Sequence, residues 1–161
     1  MTATPLATSG GSLADSKCGC GLNNIMTEAS PRLRPTNFKL IQGSDFYFYH
    51  LIKDTDTGEP IDITGYTFEM QIRKAYGDTT PLIGLNETNG RIIHEDNAGG
   101  LILVHLTAAT TAALSIDTSD SYTTPPSEKW VYDLEADSHL FPPGKFKTLF
   151  GSITAYAEVT R

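Results

Sequence analysis

The chain has few cysteines, little positive charge and no long apolar run, and each shortage narrows what it can be. Its two cysteines, Cys18 and Cys20, are separated by a single residue in a chain of 161. A structural zinc site uses wider spacing and a second pair, and a disulfide across one residue is strained, so both readings are disfavoured. The two read as free thiols in a flexible segment, or as contacts with a partner chain. Lys and Arg number 12 against 19 Asp and Glu, for a formal charge of −7 and a pI near 4.9. That balance argues against sequence-independent nucleic-acid binding, which gathers cations on a surface to neutralise phosphates. No stretch of about 18 apolar residues is present, so no helical span and no membrane partner are expected. The N-terminus also lacks the charged start and apolar centre of a secretory signal, which points to a cytosol-like compartment. Asn86-Glu87-Thr88 matches the glycosylation sequon, and without an export signal it reads as a chance match.

Constellations for catalysis are equally scarce. No serine sits in a nucleophile-elbow context and no cysteine has a recognisable histidine partner. Gly10-Gly11 and Gly99-Gly100 lack the spacing of a phosphate cradle. His50, His94, His105 and His139 are scattered and read as satisfied core or surface histidines. Asp54, Asp56, Gly58 and Glu59 resemble half of a calcium loop, but the third acidic position and the distal bidentate glutamate are missing, so a plain hairpin turn is the better reading. The expectation is a chain that is not an enzyme and uses no cofactor or metal.

What is present is alternation. In Tyr66-Thr67-Phe68-Glu69-Met70-Gln71-Ile72-Arg73 large apolar residues alternate strictly with polar ones. Side chains of a strand point to opposite faces in turn, so this segment predicts a half-buried antiparallel strand. Ile153, Ala155, Ala157 and Val159 alternate with Thr154, Tyr156, Glu158 and Thr160 in the same way. Further strands are expected at Phe38 to Ile41, Asp45 to Lys53, Leu82 to Leu85, Arg91 to His94, Leu101 to Leu106, Trp130 to Ala136, Lys145 to Phe150 and Gly151 to Thr160. The row Phe46-Tyr47-Phe48-Tyr49 predicts burial on both faces. Thr107 is placed to cap one short helix reaching Ser115. Pro142-Pro143-Gly144 suits a hairpin connection. The length is that of one domain, and strands at this spacing predict an all-β antiparallel β-sandwich with one short helix.

Residues 1–37 differ from the rest. They are rich in Thr, Ser, Gly, Ala and Pro without sustained periodicity, a composition that buries too little apolar surface to offset its ordering entropy. Lys17, Arg32 and Arg34 against Asp15 and Glu28 leave this segment at +1 and residues 38–161 at −8. An extended N-terminal arm followed by a sandwich domain is therefore expected.

The order of pieces in the second part resembles a known family. Phe38 to Phe46, Thr57 to Tyr66 and Met70 to Arg73 come first. Gly100 to Ile102, Leu106 to Ala108 and Thr111 to Leu114 follow, then Trp130 to Glu135, Leu149 to Thr154 and Glu158 to Arg161. Together they look like the small domain of tailed-phage structural proteins akin to the N-terminal domain of the baseplate upper protein. The resemblance runs from Phe38 to the end of the sequence, and it implies a non-enzymatic Ig-like β-sandwich located in the virion. Such a domain is an adaptor or anchor at the tail, baseplate or neck, partnered by other virion proteins in multiple symmetric copies. Fibre-type members continue into a receptor-binding tip; this sequence stops at Glu158-Val159-Thr160-Arg161, so receptor binding by this copy is not expected. The arm is then the grip. Leu6, Leu13, Leu22, Ile25, Met26 and Leu33 are its apolar anchors, and Arg32 and Arg34 suit acidic groups on a neighbour. A capsid decoration protein fits the same features. A carbohydrate-binding module is the third reading, and it requires Tyr47, Tyr49, Tyr76, Tyr122, Trp130 and Tyr156 as an exposed stacking platform.

Overall fold

A computed structural model describes residues 34–117, 126–139 and 144–158. Eight strands and one helix follow in order: β1 (Thr36–Ile41), β2 (Phe46–Leu51), β3 (Tyr66–Arg73), β4 (Ile83–Asn86), β5 (Ile92–Asp96), β6 (Leu101–Leu106), α1 (Ala108–Ala112), β7 (Ser127–Ser138) and β8 (Gly144–Tyr156). They form a five-stranded sheet in the order β1-β8-β7-β3-β4 and a three-stranded sheet in the order β2-β6-β5. The two pack face to face as an all-β sandwich. Phe68, Met70 and Ile72 of β3 are buried as their alternation requires. With Trp130, Leu134 and Ile153 of the same sheet they meet Phe46, Ile102, Val104 and Leu106 of the other in one continuous core. Phe38 of β1 stacks on Phe48 of β2 at 4.5 Å and meets Phe46 edge-on at 5.8 Å. These rings tie the two sheets together along one side.

Several elements depart from the expectation. The sandwich is not wholly antiparallel, because β1 pairs β8 in parallel, from Thr36 opposite Gly151 to Ile41 opposite Tyr156. After Ile41 the chain turns and crosses to the other sheet as β2, so that crossing sets the direction of β1. The body starts at Thr36, two residues before the 37/38 boundary. The strands expected at Lys145 to Phe150 and Gly151 to Thr160 form one strand, β8, that continues through Gly151. Against β7 its register slips once: Leu134 faces Leu149 and Glu135 faces Lys147, leaving Thr148 as the extra residue of a bulge. Ala155 and Ala157 are buried as the terminal alternation requires, while Val159 lies outside the described residues, as do Pro142 and Pro143. Thr107 caps α1 by accepting the Thr110 N–H, but the helix ends at Ala112 rather than Ser115. There Thr111, whose hydroxyl donates to the Ser44 carbonyl at 2.7 Å, fixes it to the β1–β2 turn.

Candidate docking surface

The two outer faces of the sandwich have opposite character. On the five-stranded sheet the outward positions include Glu69 and Arg73 of β3, Asp133, Glu135 and Asp137 of β7, and Lys145 and Lys147 of β8. Lys147 pairs with Asp133 at 2.9 Å and Lys145 with Asp137 at 3.9 Å. A cleft of about 220 Å³ opens there, lined by Glu69, Glu87, Glu135, Asp137 and Lys145. This is the solvated face expected of an antiparallel layer.

The three-stranded sheet presents an apolar outer face instead. Tyr47, Tyr49 and Leu51 of β2 lie opposite His105, Leu103 and Leu101 of β6, and Ile93 of β5 lies on the other side of Leu103. Tyr47 is 63% exposed, Tyr49 59%, Ile93 41% and Leu51 39%. A contiguous row Tyr49–Leu103–Ile93 therefore crosses the whole sheet on its solvent side. The expectation of burial on both faces of β2 is corrected here. Phe46 is buried and Phe48 packs on the core, whereas the two tyrosines between and after them stand in solvent. Sequence reading singled out β2 but missed Leu101, Leu103 and Ile93. The signal was present: Leu-Ile-Leu-Val-His-Leu in β6 is apolar except at His105, close to the pattern of a strand covered on both sides.

The remaining candidates are dispersed. Asp54 Oδ1 accepts the amides of Asp56 at 2.8 Å and Thr57 at 2.9 Å, and Asp54 N–H donates to the Glu59 carbonyl. These bonds make a self-contained hairpin turn, and the amides of Thr57 and Asp56 hold the Asp54 carboxyl below the usual range. Among the described residues no three His, Cys, Asp or Glu side chains are grouped to hold a metal ion. His94 hydrogen-bonds Asn97 and Glu87, His105 lies 3.8 Å from Asp45, and the half-buried His50 hydrogen-bonds the backbone of Thr148. The tyrosine and tryptophan set does not assemble. Trp130 is buried, its Nε1 donating to Glu128 Oε2 at 3.0 Å; Tyr156 is half-buried, Tyr76 is exposed on a turn, and Tyr122 lies outside the described residues. Of the arm residues, Leu6, Leu13, Leu22, Ile25, Met26, Arg32 and Leu33 lie outside the described residues, as do Cys18 and Cys20, while Arg34 is exposed just ahead of β1.

Comparison of the chain with protein-family models finds no match, and comparison with curated proteins finds none.

Proposed function

We propose that this chain is a non-enzymatic structural subunit of a tailed-phage virion, an adaptor or anchor at the tail, baseplate or neck that binds neighbouring subunits. The observation that carries the reading is the apolar outer face of the three-stranded sheet, built from Tyr47, Tyr49, Leu51, Leu103 and Ile93. Large exposed apolar patches mark sites where another protein docks. The order of residues from Phe38 onward, which resembles the baseplate-type domain with its Ig-like sandwich, supplies the viral part of the reading. The arm ahead of β1 is its second contact, with Arg32, Arg34 and the leucines gripping an adjacent subunit. A place on the capsid surface as a decoration protein uses the same contacts, and a map of the particle separates the two locations.

The test is incorporation. Particles purified from cells that make this chain should contain it at fixed stoichiometry, and the folded double variant Ile93→Lys/Leu103→Glu should stay out of them. Absence of the native chain from particles overturns the reading. Tyr47 and Tyr49, adjacent on one exposed face, favour a single competitor, carbohydrate binding by stacking. A glycan-array signal lost in Tyr49→Ala would promote that competitor.

A further inference from the structure

Among the described residues four strands form the edges of the two sheets, and three of them carry features that block further pairing. β1 is preceded by Pro35 and carries Lys39. β4 is four residues long. β5 has a register break between His94 and Asp96 and ends in Glu95 and Asp96. Such devices, namely proline, charge, shortness and irregularity, are how sheet edges avoid unwanted partners. β2, Phe-Tyr-Phe-Tyr-His-Leu, has none of them.

The hydrogen bonding of β2 fixes which groups its open side offers. Ile52 N–H donates to the Gly100 carbonyl at 2.8 Å, continuing the register in which Leu51 faces Leu101. In an antiparallel pair the inward-bonding residues alternate with outward-bonding ones. His50, Phe48 and Phe46 therefore share the inward set with Ile52, and the N–H and C=O groups of Tyr47, Tyr49 and Leu51 point away from β6. These are also the residues whose side chains stand on the exposed face.

We infer that β2 pairs antiparallel with β2 of a second copy about a two-fold axis at Tyr49, joining the two three-stranded sheets into one of six strands. Outward-bonding residues must oppose one another and faces must be kept, so the two residue numbers of each pair add to an even total. The register centred on Tyr49 opposes Tyr49 to Tyr49 and Tyr47 to Leu51, pairing side chains on the apolar face. It also opposes Asp45 to Lys53 twice, once at each end of the strand. Both flanking residues are exposed; Asp45 Oδ1 accepts the Ala108 N–H at 2.6 Å, so its second carboxylate oxygen is the one offered to Lys53, and the two charges match only when one copy faces another in this register. Shifting the pairing by one step toward the N-terminus sets Asp45 against Leu51 and loses both ion pairs. A chain of net charge −7 repels a second copy over most of its surface; the uncharged strand with one cation and one anion at its ends is where that repulsion is least. The inference does not rest on the virion reading, since a binding module of any origin would pair the same way.

Sedimentation of the full chain over a dilution series tests it. A concentration-dependent species of twice the 17.5 kDa chain mass is expected, together with protection of the Tyr47, Tyr49 and Leu51 amides from exchange only where that species forms. Tyr49→Pro removes an outward N–H and no bond to β6, so it should leave a folded monomer. Lys53→Asp should weaken association at least tenfold, and mixing it with Asp45→Lys should restore a heterodimer that neither variant forms alone. A monomer at all concentrations up to about 100 µM, weaker than ordinary specific association, overturns the inference. So does a dimer that survives Tyr49→Pro, or protection of those three amides in the monomer, which would place the chain's own residues on the edge.

Discussion

His50 is the residue whose chemistry the fold alters most usefully for experiment. It turns to the inner face because it alternates with Tyr49 and Leu51 on β2, where it is half-buried and borders a cleft of about 190 Å³ with Phe146 and Thr148. Burial is the larger influence and pushes the imidazole down to about 4, against a smaller opposing effect from its hydrogen bond to the Thr148 backbone. The unfolded chain takes up this proton near pH 6.5, whereas the folded chain resists it to about pH 4. Between those values the unfolded state binds more protons, so stability is complete above the upper value and falls as the pH drops through the window. From pH 7 to about pH 4.5 the loss should be about 2 kcal/mol, and His50→Gln should remove most of it. Urea unfolding at the two pH values measures this; an unchanged pH dependence in the variant would assign the slope to other groups. Glu128, Asp54 and Asp62, held below the usual carboxylate range by hydrogen bonds from Asp117 N–H, Thr57 N–H and the Thr64 hydroxyl respectively, add their own losses at lower pH.

At the scale of elements, the join between β1 and β8 is the part most sensitive to a small change. Thr36 of β1 lies against Gly151, where an added Cβ would collide with the Thr36 backbone oxygen. The same carbonyl accepts the Tyr132 hydroxyl at 3.0 Å, and the burial of that phenol raises its pKa. Gly151→Ala must displace β1 and break that bond, so it should cost at least about 2 kcal/mol in a denaturant melt. Gly58→Ala, where the added carbon meets open space on a positive-φ turn, should cost only about 1 kcal/mol. Comparable losses at the two sites would mean that β1 docks loosely. This join also marks where the sequence stops being legible. The alternation of β3 and of the chain's final strand could be read because each strand's own pattern records which face is buried. The parallel pairing of β1 with β8 could not, since it brings together residues 115 positions apart and depends on the direction in which β1 crosses to the other sheet. Likewise the apolar run in β2 predicted cover on both faces, but a run of this kind states that cover is needed without saying which chain provides it. The apolar outer face was thus half legible, with β2 visible and the contributions of β5 and β6 hidden until topology placed Leu103 between Tyr49 and Ile93.

For the molecule as a whole, the contrast between its two outer faces separates folding from recognition. The charged face of the five-stranded sheet is already satisfied by water and by the Lys147–Asp133 and Lys145–Asp137 pairs, and exposed pairs of this kind contribute little to stability. The apolar face of the three-stranded sheet is different, because Ile93, Tyr47 and Tyr49 keep roughly half their surface in water and so add little to the stability of the isolated chain. Their apolar area is available for release on binding, at roughly 25 cal/mol per Å² removed from water. The variant Ile93→Lys/Leu103→Glu should therefore unfold within about 1 kcal/mol of the native chain. It should also bind an apolar fluorescent dye several-fold more weakly and remain soluble at higher concentration. A core role for these side chains predicts the reverse, a loss of several kcal/mol with increased dye binding as packing loosens. Equilibrium unfolding and dye titration on the same sample decide between the two, and a large stability loss would remove this face as the place where a partner docks.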